Sequence, residues 1–338
     1  MPATRLSILD QSPIISGHSA AQAVAETIKL AREADRLGYH RYWLAEHHSL
    51  MALADPCPEI LVARVAAETQ RIRVGTGGVL LPHYSPLKVA EQFRMLEALY
   101  PGRIDLGIGR APGGNRATAM AMGQGQYSNA ADFPEQVQFL VAWLDDAMPA
   151  AHPFGKVRAQ PLGASAPPVW LLGSSDYSGA LAAQLGLNFA FAHFISADGG
   201  EAVMRDYKRT FRPSARESAP QALLAVFVIC ADSDAEAERR ATSIDLRRLN
   251  MDYGLNQPVP SRAEAEARQF NDAEKARIAH NRRRLVFGAP ATVKARLLEL
   301  QARFEADELM VITITGEYET RLESYRLLAA AFELAPTV

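Results

Sequence analysis

The sequence predicts an α/β protein folded as a closed (β/α)8 TIM barrel. Three observations lead there. Short, near-continuous apolar runs alternate with amphipathic runs along all 338 residues, the pattern of a parallel sheet covered on both faces. Eight such strand–helix units can be counted, the number that closes a barrel. The chain holds no internal repeat and no domain-sized linker, so residues 1–338 read as one barrel domain.

Each element has its own local reason. Leu6–Leu9 ("LSIL") is the first strand. Ser19 with Gln22 makes a capping-box start; Val24, Ile28, Ala31 and Leu37 follow near one helical stripe, and Gly38 stops it. Tyr42–Ala45 ("YWLA") is the second strand and 58–70 the second helix. Ile72–Leu81 holds the third strand, Pro86 opens a helix to about Leu99, and "YPGR" is a turn. Ile104–Gly109 ("IDLGIG") is the fourth strand, followed by a glycine-rich loop and a helix over roughly 132–147. A Pro/Gly-rich excursion spans 148–168. Val169–Leu172, with a helix just after it, is the fifth strand, Phe189–Phe194 the sixth, Leu223–Cys230 the seventh and Leu309–Thr315 the eighth. The excess over the roughly 250 residues usual for this fold sits near strand seven, at about 251–285. That charged segment ("RAEAEARQFNDAEKARIAHNRRR") reads as an insertion, either a solvated helical excursion or a mobile lid.

Composition narrows the function. A net charge of −2 argues against nucleic acid or an anionic membrane as the main partner. Two cysteines, Cys57 and Cys230, make neither a disulfide framework nor a metal quartet and read as small buried fillers. "MPATRLSILD" has no apolar h-region, and no apolar run approaches the roughly 20 residues of a membrane helix, so a soluble cytoplasmic protein is expected.

In a (β/α)8 barrel the active site lies at the C-terminal ends of the strands. Those ends carry Asp10 and Gln11; Glu46, His47 and His48; Gly77 and Gly78; Gly109, Arg110 and Ala111; Gly173, Ser174 and Ser175; His193; and Thr313 and Thr315. Each has a plainer structural reading: Glu46 as an ion-pair partner, one histidine as a satisfied wall residue, a serine as an N-cap. "EHH" lacks the HExxH spacing of a metal site. Neighbouring strand residues point to opposite faces, so His47 and His48 should not share a site unless the strand has broken. "GIGRAPGG" (Gly107–Gly114) is a loose glycine-rich loop to which Arg110 adds a fork suited to phosphate. "GSSDYSGA" (Gly173–Ala180) puts hydroxyls at a helix N-terminus, where N–H groups and the dipole favour an anion. Two anion-friendly sites on neighbouring strands suggest a phosphate-bearing cofactor.

Three stretches, "YWLAEHHS" (42–49), "IRVGTGGVLLPHYSPLKVAEQFRMLEALYPGRIDLGIGRAPG" (72–113) and "VWLLGSSDYSGALAAQLGL" (169–187), together resemble the bacterial luciferase-like flavin monooxygenases, in particular their MsnO8-type members. The resemblance covers nearly the whole chain. It implies reduced FMN across the barrel mouth, or deazaflavin F420 in some branches. It implies catalytic roles for His47 and, less directly, His48. It places the flavin phosphate between Arg110 and the Gly173–Ser174–Ser175 turn with Tyr177, and the ring between a cis Gly77–Gly78 peptide and His193. Two positions depart from the luciferases: their reactive strand-four cysteine is Gly109 here, and their acidic strand-five residue is Gly173.

The implied chemistry is attack of O2 on reduced FMN to give a C4a-peroxyflavin that oxygenates a small, largely apolar organic substrate. His47 would serve as hydrogen-bond partner or general base with a pKa near 7. No NAD(P)H fingerprint is visible, so a separate flavin reductase would supply reduced FMN, and the resemblance implies a homodimer through helices two and three. An F420-dependent reductase or dehydrogenase, and a flavin-binding protein without turnover, are the alternatives.

Overall fold

The structure, a computed structural model, describes residues 4–123, 130–163 and 165–335. The first and last three residues of the expected 1–338 domain lie outside the described residues, as does 164 within the Pro/Gly-rich excursion. The strands are β1 (Arg5–Asp10), β2 (Arg41–Leu44), β3 (Arg73–Thr76), β4 (Val79–Leu80), β5 (Ile104–Gly109), β6 (Val169–Gly173), β7 (Asn188–Ala192), β8 (Ala222–Cys230), β9 (Leu285–Gly288) and β10 (Glu308–Ile312). The helices are α1 (Ala20–Leu37), α2 (Pro58–Glu68), α3 (Pro86–Leu99), α4 (Arg116–Met122), α5 (Phe133–Leu144), α6 (Asp176–Leu185), α7 (Gly200–Thr210), α8 (Asp234–Asp252), α9 (Arg262–Ala267), α10 (Asp272–Arg282), α11 (Pro290–Arg303) and α12 (Tyr318–Ala331).

The strands β10-β1-β2-β3-β5-β6-β7-β8 pair in parallel, and β8 pairs back to β10. This closes the expected eight-stranded barrel. The single strand expected over Ile72–Leu81 is two, broken at Gly77–Gly78, whose peptide is cis. β9 was not legible: four residues inside an arginine-rich segment carry little periodicity. It forms because β8 is nine residues long. The outer half of β8, Phe227–Cys230, leaves the ring and needs a partner, which Leu285–Gly288 supplies. Gly38 ends α1 in the left-handed conformation, φ 87°, as its position predicts. Cys230 is a buried filler, whereas Cys57, at the surface start of α2, is exposed.

Period-two alternation sorts the strands into two cores. Ile8, Tyr42, Val74 and Ile104 lie opposite one another and pack outward under the helices. Leu9, Trp43, Gly75 and Asp105 are the next register row and face the lumen. Gly75 is required there: a Cβ would sit 2.5 Å from the Asp105 carbonyl oxygen. The lumen floor is ionic. Arg41 donates from Nη1 to Asp105 (2.8 Å) and from Nε to Glu308 (2.9 Å), and lies over the Trp170 ring. Asp105 also accepts from Arg73 and from the Trp43 indole, and Glu308 accepts from Ser7. Paired this way, the buried charges keep hydrogen-bond partners that water would otherwise provide.

Candidate active site

At the C-terminal ends of the strands opens a cavity of about 300 Å3. Its floor is apolar, built from Leu9, Trp43, Leu223, Ala225 and Met310. Its rim brings together Gln11, His47, Gly77, Gly78, Arg110 and the Gly173–Ser174–Ser175 turn. Asp10, from the same strand end as Gln11, is not part of it. It is buried outside the barrel, where it accepts from Ser12 N (2.7 Å), Arg321 (2.6 Å) and Tyr42. Thr313 is likewise structural, bonded to Val228 O.

"EHH" resolves into three different jobs. Glu46 is buried in the cavity lining, its carboxylate tied down by bonds from Leu80 N (2.8 Å) and the Tyr84 hydroxyl (2.7 Å). His48 Nε2 lies 2.6 Å from the same carboxylate, and the residue does not line the cavity. His47 does line it. Its Nδ1 sits 3.3 Å from Ala45 O. A carbonyl only accepts, so the tautomer assigned by this contact carries the proton on Nδ1 and leaves the Nε2 lone pair free. Burial, the largest cause, pushes the His47 pKa down to about 4; the charge of Arg247 and the neighbouring His48 lower it further, while the Ala45 contact opposes them. The expected value near 7 is therefore corrected: His47 is a neutral imidazole at pH 7, able to accept a hydrogen bond but a weak base.

At the other end of the rim stand Arg110 and the Gly173–Ser175 turn. Arg110 is exposed, lines the cavity, and makes no ion pair among the described residues. Tyr177 does not line the cavity; its ring lies under the Arg110 guanidinium, 4.0 Å from Cζ, and so holds the cation. Ser175 caps α6 without a side-chain bond to the backbone, leaving its hydroxyl available. Asp176 occupies Tyr177 N (2.8 Å), which removes one first-turn donor.

His193 is not at this cavity. Alternation puts Ala192 and Phe194 on the mouth side. The His193 ring turns the other way, edge-on to Phe304 and into a separate cavity with Arg282 and Arg303. Among the described residues no cluster of three or more His, Cys, Asp or Glu could hold a metal, and no helix is long and apolar enough to cross a membrane.

Residues 4–305 match the family model described as luciferase-like monooxygenase. The chain belongs to the luciferase-like monooxygenase family. It is 47% identical to the uncharacterized protein YceB of Bacillus subtilis (strain 168), over 97% of this chain and 99% of that one. It is 38% identical to the N-acetyl-S-alkylcysteine monooxygenase of the same organism, over 97% and 98%. The solved structure of apo-MsnO8 superposes with a TM-score of 0.91 at 41% identity, over 99% and 100%. Two more distant folds are similar: the oxygenating constituent of 3,6-diketocamphane monooxygenase from Pseudomonas putida in complex with FMN (TM-score 0.71, 22% identity, covering 99% of this chain and 98% of that one), and an F420-dependent secondary alcohol dehydrogenase (TM-score 0.65, 13%, covering 98% and 99%).

Two residues of this luciferase-like chain escaped the sequence. Asp55 is buried beside the His47 loop; one carboxyl oxygen accepts from Cys57 N (3.0 Å) and the other has no partner among the described residues. Burial pushes its pKa up to about 7. Arg247 lies on α8, in a run of charges that reads as an ordinary solvated face.

Proposed function

We propose that this chain is a flavin-dependent monooxygenase that uses reduced FMN and O2 to oxygenate a small, largely apolar organic substrate. The single observation behind the reading is the mouth cavity, which sets Arg110, without an ion pair among the described residues, and the Ser174–Ser175 turn beside an apolar slot. That donor set fits FMN: Arg110, carried on Tyr177, with Ser174, Ser175 and Gly173 for the phosphate, and Gly77–Gly78 under the ring. Bound reduced flavin would supply two electrons for O2, one oxygen atom going to substrate and the other to water. His47, neutral, would accept a hydrogen bond through Nε2 at the reacting edge. His48 and Glu46 would position the strand end that carries it. A separate flavin reductase would deliver the reduced FMN, in the cytoplasm. The thioether acid of the Bacillus relative is a first substrate to assay.

The 251–285 segment fits a lid within a single 1–338 domain. Val259 bridges to Ile15, Asn256 bonds to Met51 N and Ser49 O, and Arg284 bonds to Ile195 O, so it rests on loops after β1, β2 and β7.

Anaerobic titration with reduced FMN tests the reading. Arg110→Ala removes a charge-assisted contact worth about 1.5–3 kcal/mol, so affinity falls roughly 10- to 150-fold. Hydrogen exchange across 251–285, followed in the same titration, slows when FMN binds. Unchanged affinity in Arg110→Ala overturns the phosphate assignment, and preference for F420 over FMN overturns the cofactor.

A homodimer through α2 and α3 is proposed from the apolar side chains they leave in water, Ile60 (64% exposed), Met95 (51%) and Leu99 (57%). Met95→Glu should shift sedimentation velocity from dimer to monomer. A parent that sediments as a monomer removes the proposal.

A further inference from the structure

At the loop that follows His47 and His48 lies a further cavity of about 320 Å3. The loop after β2 (Ser49, Leu50, Ala52), the end of α8 and residues Leu255–Pro258 of the insertion enclose it. Its lining is apolar or uncharged polar, with one charged residue, Arg247, and no carboxylate.

Arg247 is an exception on its own helix. Arg239 and Arg240 pair with Glu236, and Arg248 donates to Asn281 O. Arg247 makes no hydrogen bond or ion pair among the described residues, and its Nε is shut off from water with no acceptor. Burial alone draws its pKa down to about 10, with no anion to hold it up. A donor shut off from water without an acceptor is costly, and the cost is recovered when an anion enters and accepts from it. Arg247 is also close enough to the mouth for its charge to lower the proton affinity of His47.

We infer that this cavity receives the carboxylate of the substrate, with Arg247 as its partner, while the apolar arm of the same molecule passes His47 toward the flavin. A single planar fork matches a carboxylate, which it can bind through two parallel hydrogen bonds. The amide of Asn250, held against Gln257, offers a further polar contact on the same wall. The inference names a substrate class for the proposed oxygenase and rests on that reading.

The test uses FMN-loaded parent and Arg247→Met, titrated with N-acetyl-S-benzylcysteine and with its carboxamide. The acid is expected to bind the parent roughly 10- to 150-fold more tightly than it binds Arg247→Met, the range of one charge-assisted pair. The carboxamide should bind both alike and weakly. Arg247→Lys should recover part of the acid's affinity. The melting temperature of Arg247→Met should equal or exceed the parent's, because a buried Nε without an acceptor has been removed. The inference is overturned if acid and carboxamide bind the parent equally, if Arg247→Met binds the acid like the parent, or if the variant melts lower. Loss of FMN affinity in Arg247→Met also overturns it, by assigning the guanidinium to the flavin. Intact FMN binding in Arg110→Ala alongside a lost acid site in Arg247→Met would sink the phosphate assignment and leave this one standing.

Discussion

Replacing His47 by alanine should leave FMN affinity within about twofold and lower substrate oxygenation by roughly two orders of magnitude or more, with the missing turnover appearing as hydrogen peroxide. His47 lines the cavity, its Nδ1 contact to Ala45 O leaves Nε2 unprotonated, and it makes no contact with Arg110 among the described residues. Losing it removes a hydrogen-bond acceptor at the reacting edge and admits water in its place. With its pKa pushed down to about 4, the parent's oxygenation should not depend on His47 protonation between pH 8 and about pH 5. Normal coupling in His47→Ala, measured as oxygenated product per oxygen consumed, would remove His47 from the chemistry.

The same variant has a stability readout. His47 titrates at about 4 when folded against 6.5 ordinarily. The unfolded chain therefore binds more protons between those values, and stability falls as pH drops through that window. Asp55 works in the opposite sense. Its pKa is raised from 3.8 to about 7, so its contribution is present at low pH and lost as pH rises through 7. The windows overlap and the slopes offset each other in the parent. Relative to the parent, His47→Ala should lose the part of the stability that rises between pH 4 and pH 6.5, so its stability curve falls more steeply, or rises less, with pH across that window.

Arg41→Ala should cost about 3–5 kcal/mol, because truncating one member of a buried ionic network strands the others. Asp105 keeps Arg73 and the Trp43 indole, but Glu308 is left with Ser7 as its near donor and no cation in hydrogen-bond contact. Arg41→Met with Glu308→Met, which removes both charges and keeps volume, should recover most of the loss. Urea unfolding measures both. An unchanged midpoint in Arg41→Ala would mean the lumen floor is hydrated and the network adds nothing.

The strands and the ends that carry the site were legible because their signals are local. An apolar run of four to nine residues needs no distant partner to be seen, and a Gly-Gly pair or Ser-Ser at a helix start is read where it stands. The expected ligands at Gly77–Gly78, Arg110 and Gly173–Ser175 accordingly fall on one cavity rim. Tyr177 was placed correctly in the chain but serves from beneath Arg110, a stacking relation between two separate loops. His193 misleads because a strand-end histidine looks the same whichever face it takes, and one residue of parity decides between the mouth and the Phe304 side.

By itself the sequence determined the eight-stranded barrel, the polar mouth and a rim on which Arg110 and the Gly173–Ser175 turn meet, all of which follow from short-range periodicity and turn chemistry. Tertiary structure alone decided that Glu46 and His47 line the cavity and His48 does not, and that the Glu46 carboxylate is already claimed by Leu80 and Tyr84, 34 and 38 residues away. It also decided that Arg41 is an interior plug reaching Glu308 across 267 residues, while Arg247 has no partner among the described residues. A charged side chain's role depends on what stands opposite it, and in a closed barrel the opposite wall comes from distant parts of the chain.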